Sequence, residues 1–255
     1  MTAWARLTWQ AADPSALAAE LVSRLGRGAT ARAGPGGAHV VRLGGEDLEL
    51  VPWRREAADD EPHPAGRLVF EPVDPEAGDF GVTDEGEHLP AGSPLARSPS
   101  SPVAYRLAGV GWATVELDRA EAELHPWLAP AADRDQVAGG PEETDDPHLG
   151  ARTRVRRSPG LPGDTLVLAE PVTEGRLAAS LARDGEGPCV LYLEPAEGLE
   201  AWRATAASRG VVTSSVRPGP LGPSVLLAGG PSGPHLVMVD RQGSSSAAPG
   251  GTIAP

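Results

Sequence analysis

Two glutamates stand where a general base could work, each at the end of a predicted strand. Glu170 follows the predicted strand Thr165–Ala169, and Glu194 closes the predicted strand that begins at Cys189. A carboxylate with a raised pKa at the mouth of a pocket can accept a proton from a substrate. Each glutamate also precedes a proline and then a predicted helix, so helix capping is the simpler explanation for both.

Arginines provide the second candidate for chemistry, as binders of an anionic ligand group. Arg152, Arg154 and Arg156 alternate along a predicted strand and give it one basic face, which could hold a carboxylate or phosphate. The alternative is a solvated face that balances nearby acids, because exposure is the default for charge. Arg176 lies in the first turn of a predicted helix, where a cation is unfavourable, although Glu174 could pair with it.

Two aromatic residues, Trp112 and Tyr192, lie on predicted strands that open similar segments of the chain. In a cup-shaped sheet they would form a stacking wall for a flat or apolar ligand. Core packing between sheet and helix is the slightly simpler explanation. No catalytic residue is predicted, and the predicted ligand-binding residues are Trp112, Tyr192, Arg154, Arg156, Glu170 and Arg176.

Other reactive residue types lack the partners that they need. Asp145, Asp146 and His148 are metal-ligating types in an acidic loop, where such clusters are usually only solvated. The single cysteine, Cys189, opens a buried strand without a histidine nearby in sequence, which favours an inert core thiol. Gly34-Pro-Gly-Gly has no following Lys-Ser/Thr, so it is predicted to be a turn and not a phosphate-binding loop.

A strand-then-helix pattern occurs three times and provides the elements that must position these residues. In the first copy, Ala5–Ala11 alternates like a half-buried strand. Asp13 and Pro14 then begin a helix, which Gly26 ends. Two or three short strands follow up to Trp53, so the copy has the order β-α-β-β-β.

The second and third copies begin in the same way. In the second, a strand runs into a helix for which Asp118 and Glu121 form a capping box. A helix capped by Thr173 precedes the third copy, in which the strand from Cys189 leads into a helix over Pro195–Ser208. Further predictions are an acidic loop over Ala131–Pro147 and strands over Val211–Val216, Ser224–Ala228 and His235–Val239.

Net charge and cysteine content exclude several classes of function. A net charge of -13 repels phosphate backbones and anionic lipid surfaces, which argues against nucleic-acid and membrane partners. A single cysteine permits no intrachain disulfide and fits a reducing cytoplasm. The N-terminus lacks the pattern of a signal peptide, so we expect a cytoplasmic protein.

The repeated β-α-β-β-β units resemble the vicinal oxygen chelate superfamily, the glyoxalase, bleomycin-resistance and dioxygenase-like group. In that fold two modules pair, and their curled sheets make a cup for a ligand. The resemblance implies an α+β fold of curled mixed sheets. It is carried by Val110-Gly-Trp-Ala-Thr-Val-Glu-Leu-Asp-Arg-Ala, by Thr173-Glu-Gly-Arg-Leu-Ala-Ala-Ser-Leu-Ala-Arg and by Gly185-Glu-Gly-Pro, which look like glyoxalase-like domain proteins.

The order of the predicted elements, the composition of the segments between them and the resemblance predict a domain organisation. Residues 1–55 form an N-terminal β-α-β-β-β module, and residues 56–104 form a loop or linker with one possible short strand. Residues 105–240 form a paired-module glyoxalase-like domain, and residues 241–255 form a flexible tail.

The family's metal site is the main point of departure. Metal-dependent members place a histidine on the first strand of a module and a carboxylate on its last strand. The corresponding first strands here carry Trp9, Trp112 and Tyr192, and Glu49 has no histidine partner at the expected place. Because a divalent ion needs three or four converging ligands, we expect no metal and no cofactor.

Three functions remain open at this point. The preferred hypothesis is a metal-independent protein that binds a small organic molecule in an aromatic cup. The first alternative is a lyase, isomerase or dioxygenase of the same group with a non-standard metal site or none. The second alternative is a non-catalytic interaction protein whose lone N-terminal module completes itself as a homodimer.

Overall fold

The computed structural model describes residues 4–26, 29–43, 46–52, 67–73, 104–128, 143–157, 161–228 and 234–241. The predicted loop at 55–64 and most of the predicted linker and tail, at 74–102 and 242–255, lie outside the described residues. The described residues form two mixed β-sheets with helices packed on them, which confirms the α+β fold class.

The first sheet is built by the N-terminal part of the chain. Its five strands have the order β2-β3-β4-β1-β5, in which β1 is parallel to β4 and antiparallel to β5. The elements are β1 (Trp4–Ala11), α1 (Pro14–Leu25), β2 (Ala29–Ala33), β3 (His39–Leu43), β4 (Glu46–Pro52) and β5 (Arg67–Val73).

Helix α1 follows the predicted capping. The side chain of Asp13 accepts a hydrogen bond from the Ala16 N–H at 2.9 Å, and a proline occupies the first turn. Leu21 and Leu25 are buried because they lie on the face that packs on the sheet. Gly26 ends the helix at φ 77°, a conformation that favours glycine.

The second sheet has eight strands in the order β11-β12-β13-β10-β6-β9-β8-β7. Strands β6 and β10 are antiparallel at its centre, with β9 parallel to β6 and β13 parallel to β10. The elements are β6 (Tyr105–Ala113), α2 (Leu117–Leu128), β7 (Glu143–Asp146), β8 (Ala151–Arg157), β9 (Thr165–Pro171), α3 (Arg176–Asp184), β10 (Gly187–Pro195), α4 (Leu199–Ser208), β11 (Arg217–Gly219), β12 (Gly222–Leu226) and β13 (His235–Val239).

This sheet is two β-α-β-β-β modules joined through their first strands. Each module contributes four strands in the same spatial order, and α3 is an additional helix between the modules. The sheet curls until its two edge strands, β7 and β11, lie close together, and we call it the barrel. In the barrel, the first strands of the two modules, β6 and β10, pair antiparallel. In the first sheet, β5 pairs antiparallel with β1 in the same way, so it takes the position that the first strand of a second module would have.

The two faces of the barrel have different partners. On the outer face, α2 packs through Leu117 and Leu124, and α4 packs through Trp202. The inner face is defined by a cluster that includes Tyr192 and Val237. An eight-stranded barrel has an interior that side chains alone can fill, so the inner face is a second core.

A buried tyrosine joins the N-terminal sheet to the barrel. The hydroxyl of Tyr105 donates a hydrogen bond to the Leu25 carbonyl at the end of α1 and accepts one from Trp202 Nε1 at 3.0 Å. All three residues belong to one hydrophobic cluster that contains core residues of both sheets. Burial is the main reason that the pKa of Tyr105 is raised above its ordinary value.

Several predicted local features are wrong in detail. A strand, β7, lies inside the predicted acidic loop Ala131–Pro147, and it survives there because it pairs with β8. The predicted strand Val211–Val216 forms a single bridge at Thr213, and the next strand starts at Arg217. Helix α3 begins after Gly175 and not after Thr173.

The predicted capping box of the second copy is also wrong. Helix α2 starts at Leu117, which places Asp118 inside its first turn. The carboxylates of Asp118 and Glu121 both accept hydrogen bonds from Arg154 on β8. The pattern had predicted that these carboxylates would accept hydrogen bonds from the N–H groups of the helix backbone.

Candidate functional site

The inner face of the barrel is lined by small and apolar side chains on its four central strands. All of them are buried, and they belong to one cluster. They come in pairs from β6, β9, β10 and β13: Ala108 and Ala113, Val167 and Ala169, Val190 and Tyr192, Val237 and Val239. A surface of this kind holds a ligand by contact and offers few groups for polar catalysis.

Helix α3 covers one part of this face. Leu177 is fully buried among the inner-face residues, and Leu181 packs against the same cluster. Ser180, also buried, has its Oγ 3.1 Å from His235 Nε2 on β13. Helix α3 packs against β9 and β6, and we call this end of the barrel, where β6 and β9 finish, the α3 end.

His235 is held in its neutral form. Its pKa falls to about 4, mainly because it is buried and secondarily because the cations Arg176 and Arg183 lie nearby. The ring also hydrogen-bonds to the backbone of Arg176. With both partners on α3, the histidine links the helix to β13, and both of its ring nitrogens are engaged.

A second cluster of buried polar groups is centred on Asp146, at the end of β7. One carboxylate oxygen accepts hydrogen bonds from the backbone N–H groups of His148 at 2.9 Å and Leu149 at 3.2 Å. The other accepts the hydroxyl of Tyr192 at 3.1 Å. Burial, first, and the neighbouring carboxylate raise the pKa of Tyr192 well above its ordinary value, so this phenol stays protonated.

His148 closes the seam between the two modules. Its Nε2 donates to the Ser224 carbonyl of β12 at 3.0 Å, and its Nδ1 lies 3.3 Å from Ser214 Oγ. The Leu226 N–H donates to the same Ser214 oxygen. Asp146 and His148 belong to the cluster that the sequence offered as a weak candidate for metal binding. Their side chains instead make internal hydrogen bonds that connect the end of β7 to the opposite edge of the sheet.

Arg154 and Arg156 lie on the outer face, against α2. Arg154 donates to Asp118, to Glu121 and, at 2.6 Å, to Glu143. Arg156 donates to Glu121 through Nε and a terminal nitrogen. Burial raises the pKa of Glu121, but the hydrogen bonds from both arginines more than offset it, so its pKa lies below the ordinary value.

Glu170 and Trp112 are engaged by neighbouring elements as well. Glu170 accepts a hydrogen bond from the Leu117 N–H at the start of α2 at 3.3 Å, and Arg152 donates to it at 3.1 Å. Glu170 therefore caps a helix, as the simpler explanation predicted. The helix that it caps is α2, whereas the helix that follows it in sequence is α3. Trp112 packs with Leu168 beneath α2 on the outer face.

The six predicted ligand-binding residues thus occupy five different places. Trp112 faces outward and Tyr192 inward, so the structure does not bring the two aromatics together. Arg154 and Arg156 share the outer-face ion-pair network, Glu170 caps α2, and Arg176 starts α3 with its side chain exposed. No shared pocket for the set follows from these positions.

Sequence reasoning missed the groups that the inner face does bring together. Ser180 and His235 are 55 positions apart, and Asp146 and Tyr192 are 46 apart, so local patterns carry no signal for either pair. A weak signal existed for His235, because it opens a strand whose remaining residues are apolar.

A third group of charges lies at the opposite end from α3, where β6 and β9 begin and β8, β10 and β13 end. It contains Arg106, Arg157 and Arg241 with the carboxylates Glu194 and Asp164. Arg106 donates two hydrogen bonds to the buried Glu194. We call this the arginine end.

The metal site of the resembling superfamily does not fit these residues. A divalent ion needs nitrogen, oxygen or thiolate donors that converge on one point, and the inner-face pairs of the four central strands offer methyl groups and one phenol. Among the residues that the structure describes, no three His, Cys, Asp or Glu side chains gather in a way that could hold a metal. Burial also raises the pKa of the Cys189 thiol to about 12, which disfavours a thiolate.

No described helix is long and apolar enough to cross a lipid bilayer.

Comparisons with solved structures identify the architecture. A mutant of 4-hydroxymandelate synthase from Streptomyces coelicolor matches with a TM-score of 0.59, 16% identity, and coverage of 91% of this chain and 90% of that chain. Methylmalonyl-CoA epimerase from Mycobacterium tuberculosis matches at 0.42, with 21% identity and coverage of 55% and 92%. The Streptomyces coelicolor epimerase in complex with 2-nitronate-propionyl-CoA matches at 0.40, with 19% identity and coverage of 53% and 98%. No family model and no curated protein matches the sequence.

Proposed function

We propose that this chain, which has the fold of the vicinal oxygen chelate superfamily, binds a small organic molecule and works without the superfamily's metal ion. The observation that carries the proposal is the composition of the inner face. On the first and last strands of both modules, where metal-dependent members keep their ligands, the buried inner-face cluster consists of Ala, Val and Tyr side chains. The one histidine on these four strands, His235 on β13, is engaged by Ser180 and by the backbone of Arg176.

The polar groups near this face support binding and not turnover. His235 is neutral and paired with Ser180, and the hydroxyl of Tyr192 is donated to Asp146. A general base must have a free lone pair within reach of a substrate proton. The Tyr192 phenol is protonated, and both ring nitrogens of His235 are engaged by α3. Apolar contact, with a few fixed polar groups for orientation, is the usual chemistry of a small-molecule site.

A non-catalytic interaction protein is the second candidate, and one observation favours it. Tyr192, Val190 and Leu177 are fully buried, so the interior of the barrel is filled by the chain's own side chains. A ligand of the inner face has to displace Leu177 and its helix. In the interaction-protein alternative the interior stays closed and the outer surface contacts a partner.

Thermal unfolding with and without ligands separates the two candidates. A ligand at 100 times its Kd stabilises the folded state by about 2.7 kcal/mol, which raises the Tm of a chain of this size by roughly 5 to 10 °C. We expect such a rise with members of a panel of aromatic and aliphatic carboxylates, unchanged by EDTA. No rise with any of them, together with a concentration-dependent dimer in sedimentation, would favour the interaction protein.

A further inference from the structure

The arginine end carries features that the internal packing of the barrel does not require. Strand directions place Arg106, Arg157 and Arg241 at the same end of the barrel, because β6 starts where β8 and β13 finish. Arg106 keeps 60% of its side chain exposed, and Arg157 is also exposed, so solvent and small solutes reach both guanidinium groups.

A β-bulge shapes this end of the central strand pair. Tyr192 pairs with Gly109 and Leu193 pairs with Leu107, which leaves Ala108 as an extra residue of β6. Its carbonyl accepts a hydrogen bond from Arg241 at 3.1 Å, so the irregular backbone fixes one guanidinium group. Bulges frequently aim side chains at functional sites.

A tight turn is pressed against the same bulge. At Gly163 an added Cβ would lie 2.6 Å from the Leu107 carbonyl oxygen and 2.7 Å from the Gly109 nitrogen. The next residue, Asp164, has φ 52° and is the one non-glycine residue with positive φ among the described part of the chain. Such strained positions concentrate at ligand-binding sites.

Arg241 lies among other charged groups at this end of the barrel. Those that act most strongly on it are two further arginines, Arg106 and Arg157, and two carboxylates, Glu194 and Asp164. Burial first, and then repulsion by the other two arginines, lowers the pKa of Arg241. An added anion would relieve this repulsion.

We propose that Arg106, Arg157 and Arg241 bind the carboxylate or phosphate group of a small organic ligand at the arginine end of the barrel. This proposal rests on the proposed function and names the class of ligand. Guanidinium groups match both oxyanions through paired N–H donors. The ligand is a small molecule because the field of the whole chain repels polyanions.

The test is a titration of the full chain with two probes, inorganic phosphate and benzoate, at constant ionic strength set with chloride. Isothermal titration calorimetry is expected to give saturable binding of at least one probe, and the tighter probe identifies the anionic group. Arg157→Gln and Arg241→Gln are each expected to weaken that binding about tenfold. Arg106 is left intact because its loss would strand the buried Glu194.

Arg152→Gln is the matched control. Arg152 and Arg157 lie on the same strand, roughly 17 Å apart, and Arg152 sits at the α3 end where it pairs with Glu170. The control removes the same charge and is expected to leave binding unchanged. Binding that weakens equally in all three variants would show a general charge effect and overturn the proposal.

Two further outcomes overturn the proposal. One is the absence of saturable binding of either probe, and the other is binding that both arginine-end variants leave intact. If the organic panel still raises the Tm in either case, the anion site fails while the proposed function stands. If the panel also gives no rise, both fail.

Discussion

Replacing Arg154 with glutamine tests whether this arginine is a structural residue or a ligand contact. Arg154 is 8% exposed and donates to three carboxylates at 2.6 to 2.8 Å. Two of the partners are substantially exposed, Asp118 at 83% and Glu143 at 42%, so each pair contributes about 0.2 to 1 kcal/mol. The bond to the less exposed Glu121 is worth about 1.5 to 3 kcal/mol.

Together these contributions predict a loss of about 2 to 5 kcal/mol of unfolding free energy for Arg154→Gln. Urea unfolding followed by tryptophan fluorescence measures it, and an unchanged m-value would show that the unfolded state is the same. Arg152→Gln is the control, because its pair with Glu170 is half-exposed and is expected to cost less than about 1 kcal/mol.

The structural interpretation of Arg154 would be refuted by one combination of results. If Arg154→Gln is as stable as the Arg152→Gln control and yet loses affinity for the organic ligand, the arginine serves the ligand. The expected combination is the reverse: a clear loss of stability, with ligand affinity per folded molecule unchanged.

Three other changes test the packing. The pKa of His235 is about 4 in the folded chain and 6.5 for an ordinary histidine, so the unfolded chain takes up the proton first. Stability therefore falls as the pH drops from 6.5 to 4. His235→Gln should remove about 3 kcal/mol of that dependence, measured as the difference from the wild type in urea unfolding at each pH. Gly163→Ala should cost at least about 2 kcal/mol more than Gly36→Ala, because both have positive φ but only Gly163 faces backbone atoms within 3 Å; equal costs would contradict the close approach. Tyr105→Phe should cost about 2 to 4 kcal/mol in urea unfolding, because two buried groups lose their partner; a loss below about 1 kcal/mol would mean that water replaces the hydroxyl.

The order of elements could be predicted from the sequence because its signals are local. Asp13 and Gly26 bound α1 as expected, and the β-α-β-β-β order emerged from alternation and helical periodicity. The resemblance to the superfamily pointed to the fold that the comparison with 4-hydroxymandelate synthase supports. The domain boundaries at 55, 104 and 240 remain predictions.

The site could not be predicted because its determinants are long-range. Trp112 and Tyr192 were expected on one surface, but irregular pairing near Cys189 and Ala108 means that simple strand alternation does not carry through from β6 to β10. The alternation of arginines along β8 could be predicted from the sequence. Their contact with α2 could not, because their partners Asp118 and Glu121 lie more than 30 positions earlier in the chain. Helix α3 was foreseen as a helix, but not as a cover for the inner face.

The central claim, binding without a metal ion, is tested most directly by elemental analysis of the full chain. The protein would be expressed in medium supplemented with manganese, iron, cobalt, nickel and zinc, purified without chelator, and measured by inductively coupled plasma mass spectrometry. We expect every divalent ion to lie far below one per chain. One equivalent of a single ion, lost together with ligand binding on treatment with EDTA, would contradict the claim.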